Sequence, residues 1–213
     1  MSHSHAANRR EDLRLINGRG RYTADTNLPG QLYAAFVRAD RAHAKIVSID
    51  AEPALTRPGV VGVFTGADAV AAQYTQFPNL MTFTGKSGGQ ILKPERPVLA
   101  TNAVRYVGET IAMVVAQSAI AAQDALDAIE IEYEDLSAVV TVEDALAAGA
   151  PQLHPNVPGN LCFEWETGDA KAVESAFEKA AHVTRMSTLT TRVAPSPMEP
   201  RGSIVSYDAA TDS

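Results

Sequence analysis

Residues able to do chemistry are sparse, and most of their spacings fail a physical test. Gly18-Arg-Gly20 begins a dinucleotide-binding pattern, but Thr23 holds the third glycine position and no strand precedes it, so the segment reads as a flexible turn. Gly85-Lys86-Ser87 matches the end of a phosphate-binding loop. Leu80 stands where that loop needs its first glycine, and the stretch lies in an irregular region rather than between strand and helix. His3, His5, His43, His154 and His182 show no pairing at i, i+4 and no metalloprotease spacing; they read as tail, loop and strand-surface histidines. Ser196 lacks the flanking glycines of a nucleophile elbow, and Cys162 has no histidine close in sequence.

One motif keeps two readings. Around Met198-Glu-Pro-Arg-Gly202 two prolines, Pro197 just before it and Pro200 within it, and a glycine fix the backbone, so Glu199 and Arg201 could present charge to a partner or to a cofactor-side loop. The structural alternative, which the residues favour, has Glu199 and Arg201 satisfying one another or nearby backbone at a strand turn. Val107-Gly108-Glu109 reads as structural: the glycine permits close backbone approach before a buried strand, and the glutamate caps a neighbouring chain.

The elements that must position these residues read as mixed helix and strand. Strands are expected over 31–38, 45–50 and 60–64, with a short helix over 52–56 between the last two that implies a crossover. Residues 73–97 read as a long functional or partner-contacting loop. Glu109–Ala116 reads as a buried strand, Ser118 as a helix cap, Ala119–Ala128 as a helix packed on the sheet, and Ile129–Tyr133 as a half-exposed strand. A short helix over 142–148 precedes Gly149–Gly159, whose prolines and glycines suit an extended surface linker. Beyond it come a helix over 170–180 capped by Asp169, a long strand over 182–193 rich in Thr and Val, and a returning strand over 204–207.

Composition narrows the function classes. The chain has 213 residues, 46% hydrophobic and 20% charged, ordinary for one or two globular domains. No apolar run reaches the roughly 20 residues of a membrane span. Met1–Asn8 is polar, without the apolar core of a secretory leader, so a cytoplasmic location is expected. One cysteine can form neither an internal disulfide nor a thiolate cluster site. The net charge of −7 is uneven: residues 1–57 hold nine Lys/Arg against six acids, and residues 124–178 hold thirteen acids against Lys171 alone. That pattern argues against a nucleic-acid partner. The arginines of residues 9–21 suit either a partner subunit's acidic surface or a solvated arm that orders on assembly.

The order of the motifs says more. Arg10–Tyr22 (REDLRLINGRGRY), Asn27–Arg38 (NLPGQLYAAFVR), Ala42–Ile46, Pro58–Val60, Val104–Glu109 (VRYVGE), Val114–Ala116, Ile131–Glu134 and Pro195–Gly202 (PSPMEPRG) together resemble the large, molybdenum-binding subunit of the xanthine dehydrogenase and aldehyde oxidase family. The similarity is greatest to its carbon monoxide dehydrogenase-like branch.

The resemblance implies an α+β (mixed α/β) chain: an arm over 1–14, an α/β hammerhead domain over 15–140, a linker over 141–168, and the incomplete start of a first molybdopterin-binding domain over 169–213. It implies an oxidoreductase that uses water-derived oxygen at molybdenum, with a glutamate as general base and electrons passed to [2Fe-2S] clusters and FAD on partner domains or subunits. The cofactor-embracing glycine-rich loop and the catalytic glutamate are expected outside these residues, and Glu199 is not that glutamate. No catalytic, metal or cofactor-binding residue is therefore expected in this chain, which should be inactive alone. Met198, Glu199, Arg201 and Gly202 form its only candidate cofactor-side or partner-contact loop. The partners implied are the remainder of the molybdopterin-binding subunit, an iron–sulfur subunit and a flavin subunit. Turn chemistry at Ala209–Ser213 with nothing after it adds the expectation of a fragment or a split polypeptide. The competing reading is a free-standing hammerhead-type assembly module.

Overall fold

The order of elements follows from alternating short apolar runs and local caps. The computed structural model describes residues 9–211 apart from 75, 83, 87 and 192. The tail histidines His3 and His5 lie outside the described residues, as does most of the expected arm. By packing, the chain divides into residues 30–180 and a second unit formed by residues up to 29 with residues from 181 onward.

In the larger unit, β1 (Tyr33–Arg38), β3 (Val60–Thr65) and β5 (Thr110–Ala116) form one antiparallel sheet in the order β1-β5-β3. β2 (Ala44–Asp50), β4 (Ala103–Val104) and β6 (Glu130–Asp135) form another, ordered β4-β2-β6 and also antiparallel. The short helix α2 (Glu52–Leu55) therefore joins strands of different sheets, and the expected crossover within one sheet does not exist. β5 and β6, on either side of the helix that follows Ser118, likewise lie in different sheets. Periodicity reports which face of a strand is buried, whereas the pairing partner lies dozens of residues away.

β5 is central and its residues are buried or half-buried; Ile111, Ala112, Val114 and Ala116 are fully enclosed. Val114 aligns with Ala35 and Val63, and this face packs on Ala125 and Ala128 from the α4 side, where α4 is Ala119–Leu126. The alanines of α4 let helix and sheet approach closely, and Ser118 Oγ accepts the Ala121 amide at 3.1 Å, as expected for its cap. Ile49 and Ile131, paired across β2 and β6, pack against this cluster and against a second one around Ala44, Val104 and Ile111, so the two cores are continuous. The opposite face of the first sheet carries the row Phe36, Met113 and Phe64, with both phenylalanines exposed.

α3 (Gly66–Ala71) follows β3 directly, its first turn fixed by Asp68 Oδ2, which accepts from the Thr65 amide at 2.7 Å and from the Thr65 hydroxyl at 2.8 Å. Gly66 meets the Ala100 carbonyl so closely that no side chain fits there. Gly149–Gly159, expected as an extended linker, is pinned instead. Asn160 Nδ2 donates to Ala145 O and Pro151 O, Asn156 Nδ2 donates to Lys93 O at 2.8 Å, and Val157 is buried. Side-chain amides satisfy carbonyls that a proline-rich segment cannot pair in a ladder. α5 (Val142–Leu146) precedes this segment, and α6 (Ala170–Lys179) follows it with Asp169 as its cap, accepting from Ala172 N at 3.0 Å.

The smaller unit contains α1 (Asp12–Ile16), which the reading of 9–21 as an arm did not anticipate, and a tight turn at Thr23–Asp25. The strands expected over 182–193 and 204–207 are absent among the described residues. Thr and Val favour a pleated, half-buried surface, and here Met186, Leu189, Val193 and Val205 are exposed with no ladder beside them.

Candidate functional site

Four residues were expected to form a contact loop, and the smaller unit brings one of them to a defined partner. Glu199 Oε1 accepts a hydrogen bond from the Thr23 amide at 3.4 Å, and a side chain at Gly202 would stand 3.3 Å from Thr23 Cγ2. The loop thus rests on the Thr23–Asp25 turn. No Glu199–Arg201 ion pair occurs, and Met198 is completely exposed. No group of three or more His, Cys, Asp or Glu among the described residues is placed to hold a metal.

A more enclosed arrangement lies in the larger unit, in a cleft of about 270 Å³ that gathers three distant stretches of chain. Phe77, Arg96 and Pro97 come from the long loop, Arg105, Tyr106 and Glu109 from the turn before β5, and His154 from the pinned segment. The long loop closes on itself where the Phe77 amide donates to Arg96 O at 2.8 Å. It is held further out by Leu92 N to Cys162 O and by the Lys86–Glu166 ion pair at 2.7 Å.

The turn before β5 is a backbone clamp. Gly108, at φ 92°, donates to Ala39 O at 2.7 Å, and Ala39 N donates to Glu109 O at 2.8 Å. The left-handed conformation explains the glycine. Glu109, only 7% exposed, accepts the Arg105 amide at 2.6 Å through Oε2, so it caps its own turn rather than a neighbouring chain. Burial pushes its carboxyl above the ordinary carboxylate range, partly opposed by that hydrogen bond and by the positive charge of Arg105. Arg105 Nε donates to Leu153 O at 3.0 Å, which brings His154 into the cleft. Burial, then the nearby Arg105, holds the His154 imidazole below its usual value, and its buried Nδ1 has no hydrogen-bond partner. His43, read as a loop histidine, is buried beside β2 with Nδ1 2.8 Å from Ser137 O.

The sequence motifs reached Glu109 but not the cleft. Val104–Glu109 flagged the turn, while nothing in the linear spacing ties residue 77, 96 or 154 to it. The signal available was the combination of a long loop and a lone histidine before a proline.

Comparison with known proteins identifies the architecture. The family described as aldehyde oxidase and xanthine dehydrogenase, a/b hammerhead domain, matches residues 17–137. The chain belongs to this family. A second family, the molybdopterin cofactor-binding domain, matches residues 153–213. The nicotine 6-hydroxylase large subunit of Paenarthrobacter nicotinovorans is 38% identical over 96% of this chain and 24% of its own length. The carbon monoxide dehydrogenase large chain of Afipia carboxidovorans is 34% identical over 93% of this chain and 25% of its own. The solved carbon monoxide dehydrogenase from Oligotropha carboxidovorans covers 82% of this hammerhead-family chain and 22% of that chain, with 32% identity and a TM-score of 0.67. This chain thus spans about a quarter of the length of the curated relatives it matches. The mixed α/β fold class and the family resemblance hold. The pairing of hammerhead and cofactor-domain matches favours a part of an enzyme subunit over a free-standing module. Among the described residues no helix is long and apolar enough to cross a membrane.

Proposed function

We propose that this chain is the N-terminal portion of a molybdenum hydroxylase large subunit, an oxidoreductase of the xanthine dehydrogenase, aldehyde oxidase and carbon monoxide dehydrogenase kind, and that it acts as scaffold. The observation that carries the reading is the order of the two family matches, hammerhead at 17–137 followed by molybdopterin-binding at 153–213. In this reading the hammerhead domain covers 15–140, a linker 141–168 and the start of a molybdopterin-binding domain 169–213; the match at 17–137 agrees with the first of these bounds, while the second match already begins at 153.

A scaffolding role needs contact surfaces, and two features suit it. One is the row of exposed Phe36 and Phe64 flanking half-buried Met113. The other is the Met198–Gly202 loop with the apolar residues Met186, Leu189, Val193 and Val205 left open to solvent nearby in sequence. In this reading Met198, Glu199, Arg201 and Gly202 contact the remainder of the molybdopterin-binding subunit, which supplies the cofactor-holding and catalytic groups. Iron–sulfur and flavin subunits complete electron transfer, and the assembly is cytoplasmic.

The test is metal analysis of the 213-residue chain purified alone and after co-expression with a polypeptide supplying the remaining three quarters of a relative's length. The expected result is molybdopterin and oxidase activity only in the second preparation. Stoichiometric molybdopterin in the chain alone would refute the scaffold reading.

A further inference from the structure

The cleft before β5 holds donors that the fold does not use. Arg105 engages Leu153 O through Nε, and among the described residues its terminal amino groups meet no acceptor. Arg96, exposed at the rim, contributes its backbone carbonyl to Phe77, and its guanidinium has no acceptor among the described residues. His154 lines the same cleft, its own Nδ1 buried away from it and without a partner among the described residues. Beside these groups stand the rings of Phe77 and Tyr106.

We propose that this cleft binds a small organic carboxylate, its anionic head held by Arg105 and Arg96 and its apolar body laid against Phe77 and Tyr106.

The acidic residues in the lining leave room for this. Oε2 of Glu109 already accepts from the Arg105 amide, and Glu95 is exposed to water at the rim. A metal ion is a poorer occupant, because no three ligating side chains converge among the described residues. Size sets the other limit: about 270 Å³ lies just below the range of roughly 300–1,000 Å³ that takes drug-sized ligands, so the occupant has about one ring. Guanidinium groups bind carboxylates through paired charge-assisted hydrogen bonds, which distinguishes an anion from a neutral molecule of equal shape.

Benzoate is the probe and benzyl alcohol its neutral counterpart, each titrated by calorimetry into the chain as purified with its partners. Saturable binding of one benzoate with Kd below about 1 mM is expected, with no comparable signal from benzyl alcohol. Arg105→Gln should weaken benzoate binding at least about tenfold. Because Arg105 also anchors Leu153, Arg96→Gln provides the variant that leaves every hydrogen bond among the described residues in place, and it should weaken binding severalfold; if Arg105→Gln fails to fold, this variant decides. Benzoate that does not saturate by about 10 mM, benzyl alcohol binding as tightly, an unchanged Kd in a folded Arg105→Gln, or an unchanged Kd in Arg96→Gln would each overturn the proposal.

Discussion

Glu109 and His154 illustrate how one cleft makes two ionisable groups oppose each other. Burial raises the folded-state pKa of Glu109 above its ordinary value of about 4.3 and lowers that of His154 below about 6.5. The contribution of Glu109 is therefore fully present below its unfolded value and is lost as pH rises through its folded value. That of His154 is present above about pH 6.5 and is lost as pH falls through its folded value. Replacing each separately should separate the two. Glu109→Gln keeps an acceptor for the Arg105 amide and should flatten the loss on the alkaline side, whereas His154→Gln should flatten the loss on the acid side. Thermal unfolding midpoints measured from pH 4.5 to 8 would show it, and identical pH profiles in wild type and both variants would contradict the assignment.

Elements were legible where their signals are local. Ser118 and Asp169 cap their helices through amides three residues on, and a three-residue pattern is readable in sequence. β1, β2, β3, β5 and β6 appear within a residue or two of their expected limits, because alternation and apolar density mark them. Their sorting into two antiparallel sheets was not legible, since Tyr33 pairs with Ala116 and Ala44 with Asp135 across intervals that carry no local signature. The Thr- and Val-rich stretch over 182–193 misled for the same reason: propensity names a strand only where a neighbour completes its ladder. The cleft was not readable: Glu109 stood out only as a structural turn residue and His154 only as an unpaired histidine, because the contact between Arg105 and Leu153 spans forty-eight residues. Close approach is the most testable property at this scale. A methyl group at Gly66 would press on Ala100 O and stand 2.9 Å from Thr101 Cγ2, at the first residue of α3. Gly66→Ala should lower stability by about 1–3 kcal/mol, measurable by urea unfolding, because backbone rather than a flexible side chain stands in the way.

Across the molecule, packing is uneven. β5 lies between two strands and beneath α4, whereas residues 181–211 expose large apolar side chains and form no ladder among the described residues. Hydrogen exchange on the isolated chain should find Ile111–Val115 the most protected amides and 181–211 exchanging rapidly; under the proposed function, co-expression with a polypeptide supplying the rest of a relative's length should slow the latter alone. Equal protection in both regions of the isolated chain would contradict this. The strand order also sets a timetable for synthesis. β1 and β3 leave the ribosome first, and the strand that must lie between them emerges some fifty residues later, at a rate of roughly 5–20 residues per second. For several seconds the nascent polypeptide carries two unfinished β edges, and chaperones that shield such edges become relevant to its yield from the moment translation passes Thr65.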